Sequence, residues 1–264
     1  MMSAPLEFDP DLPIRLSQTA LAFEYGCDMF GPEPEMRRLD AIRTSLRDPE
    51  CSGPDPVYGI AMDIGRTADR VELERRMLLF GAVVYAAGAL GSEPVRSQGH
   101  IHRIAAHSGW SPPEVFEIWS GKAIVYAQER AEDAPGRCIA VMAGAGDKVV
   151  VPPGWAHGVI NADPDSRMSF GAWCDRQYGF DYTGVRAHHG LAWFPLLTDS
   201  GAIHWEANPH YLHSTLEERG PRPYPELGLE TPRSLYGQYA ENPDSMMFVA
   251  EPQRMAECWP SFTP

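Results

Sequence analysis

No C-x-x-C pair occurs among the five cysteines, Cys27, Cys51, Cys138, Cys174 and Cys258, and their number is odd. This usage gives no sign of a disulfide framework and predicts reduced thiols in a reducing compartment. No apolar run reaches the roughly 20 residues that a membrane-spanning helix needs. The longest, MLLFGAVVYAAGALG from Met77 to Gly91, contains three glycines and reads as buried strands. The opening MMSAPLEFDPDLP has no basic segment followed by an apolar one, so no signal peptide is read there and a cytoplasmic location is expected. Positive charge is scarce. With 22 Lys and Arg against 36 Asp and Glu, the net charge is -14, which argues against nucleic acid or an anionic membrane as partner. An anionic small substrate has to be captured by local charge instead. Internal repeats, low-complexity tracts and linkers are also missing. GAGDK lacks the full glycine fingerprint of a dinucleotide site and opens a strand, so Gly144 and Gly146 read as turn residues. There is no G-x-S-x-G nucleophile elbow either.

What is present points to short strands. In 264 residues, 44% hydrophobic, the 24 glycines and 25 prolines are scattered, which favours many strands joined by turns over an all-helical fold. Runs rich in Val, Ile, Phe, Tyr and Trp follow one another: VYGIAMDI, MLLFGAVVYAAGAL, EVFEIWS, KAIVYAQE, RCIAVMA, DKVVV and MSFGAWC. The series predicts a β-barrel or β-sandwich. Met36, Leu39, Ile42 and Leu46, three or four residues apart between Pro34 and Pro49, predict one amphipathic helix. PRSLYGQYAEN predicts a second short helix, with SMMFVAEP as a last strand.

The chemistry-bearing residues lie in two segments. On a strand, His100 and His102 point to one side with Cα atoms about 6.5 Å apart, within reach of a single ion. His157 follows the predicted strand Val149 to Val151 and the turn Pro152-Pro153-Gly154, which can aim it back into a barrel. Glu114 and Glu117 are three apart in EVFEIW, so one faces inward and the other does not. Alternation alone leaves open which. His107, His188, His189, His204, His210 and His213 are expected to be structural, and whichever glutamate faces away, with Glu117 the expected one, should be solvated or ion-paired.

These segments resemble the cupin superfamily. Its second motif is complete here from Gly146 through Pro152, Gly154 and His157 to Asn161, and its first ends with Glu114 and Gly121. Pro94 stands where the first motif has glycine, and RIAAHSGWSPP lengthens the spacer as a loop insertion. Within the superfamily, SQGHIH, EVFEIWSGKAIVYAQ, VPPGWAHGVIN, YGFDYTGV and SLYGQYAENPDSMMFVAEP are similar to the cupin-type glucose-6-phosphate isomerases. The resemblance implies an all-β fold, a cupin double-stranded β-helix (jelly-roll) barrel with a few short peripheral helices. It implies one domain over 1–264, with elaborations at 1–75 and 201–264 around a barrel core at 76–200. It assigns His100, His102, Glu114 and His157 to one divalent metal, Fe2+ first, with Mn2+, Ni2+, Co2+ or Zn2+ as alternatives. Glu114 and His157 would be catalytic, and Ser97, Gly99, Tyr182 and Tyr58 would contact the substrate. The implied activity interconverts glucose 6-phosphate and fructose 6-phosphate in a homodimer. Phe180 and Val83 replace a histidine and a threonine of the family, and Ser97 replaces a threonine. The same ligand set also admits an Fe(II)-dependent dioxygenase or a non-catalytic sugar-phosphate binder.

Overall fold

The computed structural model describes residues 3–264. Two sheets face each other. The first has six strands in the order Lys148–Val151, Glu114–Ser120, Met168–Asp175, Leu78–Tyr85, Tyr58–Met62 and Glu35–Arg37. The second has four, in the order Ala156–Asn161, Lys122–Gln128, Cys138–Gly144 and Leu216–Arg219. From residue 114 to 175 the chain passes back and forth between the sheets, which is the jelly-roll path that the family resemblance implies. The first sheet also takes in strands 35–37 and 58–62, and the second takes in 216–219, all from outside the segment 76–200.

Alternation decides what each strand buries. On Glu114–Ser120, Phe116 and Ile118 turn into the space between the sheets, with Val83, Val125, Val141, Val149 and Phe170. Val115 and Trp119 turn outward and are covered by C-terminal residues including Tyr236, Tyr239 and Phe248. Glu114 therefore shares the inner parity and Glu117 the outer one. Glu117 is not solvated: it is fully buried, and its carboxylate accepts hydrogen bonds from Leu235 N (2.7 Å) and Trp119 Nε1 (3.1 Å) beside Lys148 Nζ (3.5 Å). The ion-paired half of that expectation holds.

Two helical expectations are corrected. The segment after Pro34 forms the edge strand Glu35–Arg37 and then two 3-10 turns, Leu39–Ala41 and Arg43–Ser45. A spacing of three suits 3-10 geometry as well as an α-helix, so Leu39, Ile42 and Leu46 are all buried without one. Asp55 Oδ1 accepts Leu39 N (3.1 Å), and Arg43 donates to the carbonyls of Pro49 and Cys51, which ties the turns to the loop that follows. The helix at Leu235–Glu241 is present, with Ser234 as its cap. The strand expected in SMMFVAEP is instead helical, Pro243–Met246 and Met247–Ala250. A short run buried on all sides carries no period, so it does not distinguish strand from helix. Among the described residues, no helix is long and apolar enough to cross a membrane.

Candidate metal centre

The ligand candidates meet where the two sheets converge. His100 and His157 exchange both backbone hydrogen bonds, each at 2.9 Å, so their side chains leave adjacent backbones in the same region. Glu114 begins its strand opposite Val151, the residue before the Pro152-Pro153-Gly154 turn. That turn, with Gly154 at φ +79°, brings the chain round to His157. Ser111 holds the two segments together: its hydroxyl donates to the His102 carbonyl (2.7 Å) and accepts from Gly154 N (3.2 Å). The insertion between His102 and Glu114 therefore leaves both ligand-bearing strand ends in place. Gly99, at φ +86°, lets the chain pass Leu191, which a Cβ would approach to 2.7 Å.

One ligand atom from each of His100, His102, Glu114 and His157 lies within 4.8 Å of the others. Atoms bound about 2.1 Å from one ion sit about 3.0 to 4.2 Å apart, so the four lie close to the span of a single coordination shell. The hydrogen bonds orient the rings for it. His102 Nδ1 faces Pro112 O and His157 Nδ1 faces Trp155 O, both at 3.0 Å, which places the N–H there in a neutral ring and aims the Nε2 lone pair inward. His157 Nε2 lies 3.0 Å from Glu114 Oε2. His102 Nε2 lies 3.2 Å from the same oxygen but out of line for a hydrogen bond, and the buried His100 Nε2 has no partner. Three ring lone pairs and a carboxylate oxygen pointing at one another are repulsive unless protons or a cation lie between them. The donor set thus fits a divalent ion.

The electrostatics agree. Burial and the neighbouring His157 and His102 hold His100 well below its usual range, so it is neutral at pH 7. Burial also opposes charge on His102, but the facing Glu114 carboxylate outweighs this and raises it. Glu114 is held below the usual carboxylate range despite burial, because His102 and His157 face it. Its other oxygen, Oε1, accepts from the buried Cys174 thiol at 3.4 Å.

A cavity lined by His100, Glu114 and His157 opens over this cluster. Ser97, Gly99, Tyr58 and Tyr182 all line it, so the structure gathers every residue singled out above for substrate contact. The Ser97 hydroxyl is already engaged, accepting from Val159 N at 3.0 Å. Tyr58 stacks on Tyr85 with ring centres 4.8 Å apart. Phe180 packs on His100 at 4.4 Å, brought there by the pairing of strands Ile101–His102 and Phe180–Asp181. The histidines expected to be structural lie elsewhere: His107 pairs with Asp175 (2.6 Å) and His188 with Asp133 (3.0 Å). Sequence reading missed Arg37, Tyr85, Phe116 and Cys174. Arg37 was hidden by the expected helix, and Cys174 carries no motif signal.

A family model described as glucose-6-phosphate isomerase (GPI) matches residues 40–213, about two thirds of the chain. The chain belongs to the glucose-6-phosphate isomerase family. All four candidate ligands fall inside the family match, as do Ser97, Gly99, Tyr58 and Tyr182, whereas Arg37 lies just before it. A search of curated proteins returned no match. Among solved structures, the chain is similar to an oxalate oxidase at 16% identity and TM-score 0.37, covering 48% of this chain and 55% of that one. It is also similar to Bacillus subtilis oxalate decarboxylase, studied for its Mn(II) centres, at 18% identity and TM-score 0.31, covering 45% of this chain and 25% of that one. The chain thus spans about half the length of the oxalate oxidase it matches.

Proposed function

We propose that this protein is a metal-dependent aldose-ketose isomerase that interconverts glucose 6-phosphate and fructose 6-phosphate. The observation that carries the reading is the convergence of His100, His102, His157 and Glu114, with buried Nε2 atoms left unpartnered, at the floor of a cavity in a chain of this family. A bound divalent ion supplies Lewis-acid polarisation of a carbonyl and stabilises negative charge developing on its oxygen. His100, His102 and His157 as neutral ligands, with the Glu114 carboxylate, would hold a divalent ion and leave it a net positive charge.

The chain's own groups do the rest. Isomerisation exchanges a hydroxyl and a carbonyl on neighbouring carbons, so one hydrogen moves between carbons and one proton between oxygens. Glu114 is the one carboxylate among the described residues lining the cavity, which makes it the group available to carry a proton during that exchange. His157 fixes Oε2 from 3.0 Å. Phe116, Phe170 and Phe180 form walls that exclude water from the reacting carbons. Tyr182 and Tyr58, which also line the cavity, present hydroxyls to the sugar. The test is a coupled assay of fructose 6-phosphate conversion on chelator-stripped protein re-supplied with Fe2+, Mn2+, Ni2+, Co2+ or Zn2+ in turn, alongside His157→Ala. Activity should vanish on stripping, return with metal, and be lost in the variant; activity indifferent to both treatments removes the mechanism. Conversion under strict anaerobiosis separates it from a dioxygenase.

A further inference from the structure

We propose that the Arg37 guanidinium is the anion anchor of the cavity, binding the charged terminus of the sugar substrate and so fixing its orientation over the His/Glu cluster. The proposal rests on the isomerase reading of the same site and adds the residue that selects an anionic substrate.

Much of the remaining wall offers little to an anion. Ile60, Met62, Val83, Phe116, Phe170 and Phe180 are apolar. Ser97, the hydroxyl expected to serve a phosphate, is committed to the backbone of Val159. Arg37 is the one Arg or Lys among the described residues that line the cavity. Its side chain is 20% exposed, and its Nε is buried with no hydrogen-bond partner. Buried donors are almost always paired, and an arginine that lines a cavity with one N–H unpartnered has donor capacity to spare for an acceptor. The ion partner it has is Glu35, 3.1 Å away and 71% exposed, a surface carboxylate that holds it weakly. The edge strand explains the arrangement. Residues 35 and 37 share a face, and Arg37 pairs in register with Tyr58, whose hydroxyl lies against the guanidinium. Tyr182 lines the same wall, so a planar fork and two phenols surround one volume. On a chain of net charge -14, such a local cation is what an anionic substrate requires.

Two sources share this chemistry, the phosphoester of a sugar phosphate and the carboxylate of a sugar acid. Metal-free protein, which does not turn over, is titrated calorimetrically with fructose 6-phosphate, gluconate and fructose, and the metal-loaded protein is assayed for KM and kcat. At least one anion should bind more tightly than fructose, and whichever binds better names the source. Arg37→Gln should weaken that binding by about 10- to 100-fold and raise KM with kcat little changed. Arg37→Lys should be intermediate, since it keeps charge and loses the fork. Glu35→Gln, which removes the competing carboxylate, should tighten binding a few-fold. Anion binding within twofold of the parent in Arg37→Gln overturns the proposal, as does parent protein that binds fructose as well as either anion. If Arg37→Gln does not fold, unchanged binding in both Arg37→Lys and Glu35→Gln overturns it. Arg37-dependent binding without isomerisation would sink only the isomerase reading; isomerisation with a KM indifferent to Arg37 would sink only this one.

Discussion

Cys174 offers a test of how the metal carboxylate is held. Val115 pairs with Trp173, which sets Cys174 beside Glu114 on the inner face of the neighbouring strand, where its Sγ donates to Oε1 at 3.4 Å. Burial and the adjacent Glu114 raise the thiol well above its ordinary value, so it stays protonated and remains a donor across the working pH range. With Oε1 committed, Oε2 is left facing His102 and His157. Cys174→Ala removes the donor, leaves a buried carboxylate oxygen unpaired and frees the group to rotate. Loss of an outer partner of a metal ligand typically costs about 10- to 100-fold in affinity, or about 1.4–2.7 kcal/mol. The truncation itself should cost about 1–3 kcal/mol of folding stability, since it leaves a buried acceptor unpaired as well as removing one sulfur. The two effects separate by measuring metal affinity through chelator competition and thermal unfolding of the metal-free protein. Cys174→Ser retains an O–H donor and should recover part of the affinity. An alanine variant that unfolds like the parent when metal-free and binds metal within twofold of it refutes the argument.

Other outcomes follow from the same geometry. Burial pushes the Glu117 carboxyl up to about 7, although Lys148, the Leu235 N–H and Trp119 favour the anion. A carboxyl raised in the folded state contributes stability fully present below its unfolded value near 4.5, and that stability is lost as pH rises through about 7. Urea unfolding should therefore show the parent losing up to about 3 kcal/mol relative to Glu117→Gln between about pH 4.5 and pH 8; parallel pH profiles contradict this. Gly171→Ala would place a Cβ 2.2 Å from Trp119 Cζ2 and 2.7 Å from Phe80 Cζ, both in buried rings, so it should destabilise by about 1–3 kcal/mol in a denaturant titration. His102→Ala should lose metal on dialysis, while His107→Ala, which breaks only the contact to Asp175, should keep it.

Most strands of the two sheets were legible because they alternate or run apolar between turn residues; the short strands Glu35–Arg37 and Leu216–Arg219 were not, and the apolar run SMMFVAEP shows the same pattern yet folds as helix. The inward glutamate was not fixed by alternation alone, since period two says only that Glu114 and Glu117 oppose each other; the neighbours Phe116 and Ile118 settle it. The misread helix shows a limit of periodicity. Leu39, Ile42 and Leu46 bury themselves from successive 3-10 turns as well as they would from one helix. That error removed Arg37 from view, since a polar residue on an expected helix face does not suggest a cavity wall. Cys174 was invisible for another reason: its part depends on strand register across sixty residues of sequence.

The insertion between His102 and Glu114 shows why ligand spacing can vary while ligand geometry does not. The position of His100 is set by its backbone exchange with His157, and that of Glu114 by its pairing with Val151. Neither contact involves residues 104–110. At the loop's far end Ser111 and Pro112 return to His102, one to its carbonyl and one to its Nδ1, so the insertion closes on the ligand it departs from. Within the loop, Ala105 and Trp110 are joined by a backbone hydrogen bond of 2.8 Å, which narrows it before it returns. Each ligand is thus held by a strand partner or a side-chain clamp that is independent of the length of chain between ligands. It follows that the interval between His102 and Glu114 is free to vary, and that the pairing partners His157 and Val151, together with Ser111, are the positions that determine whether the four donors meet.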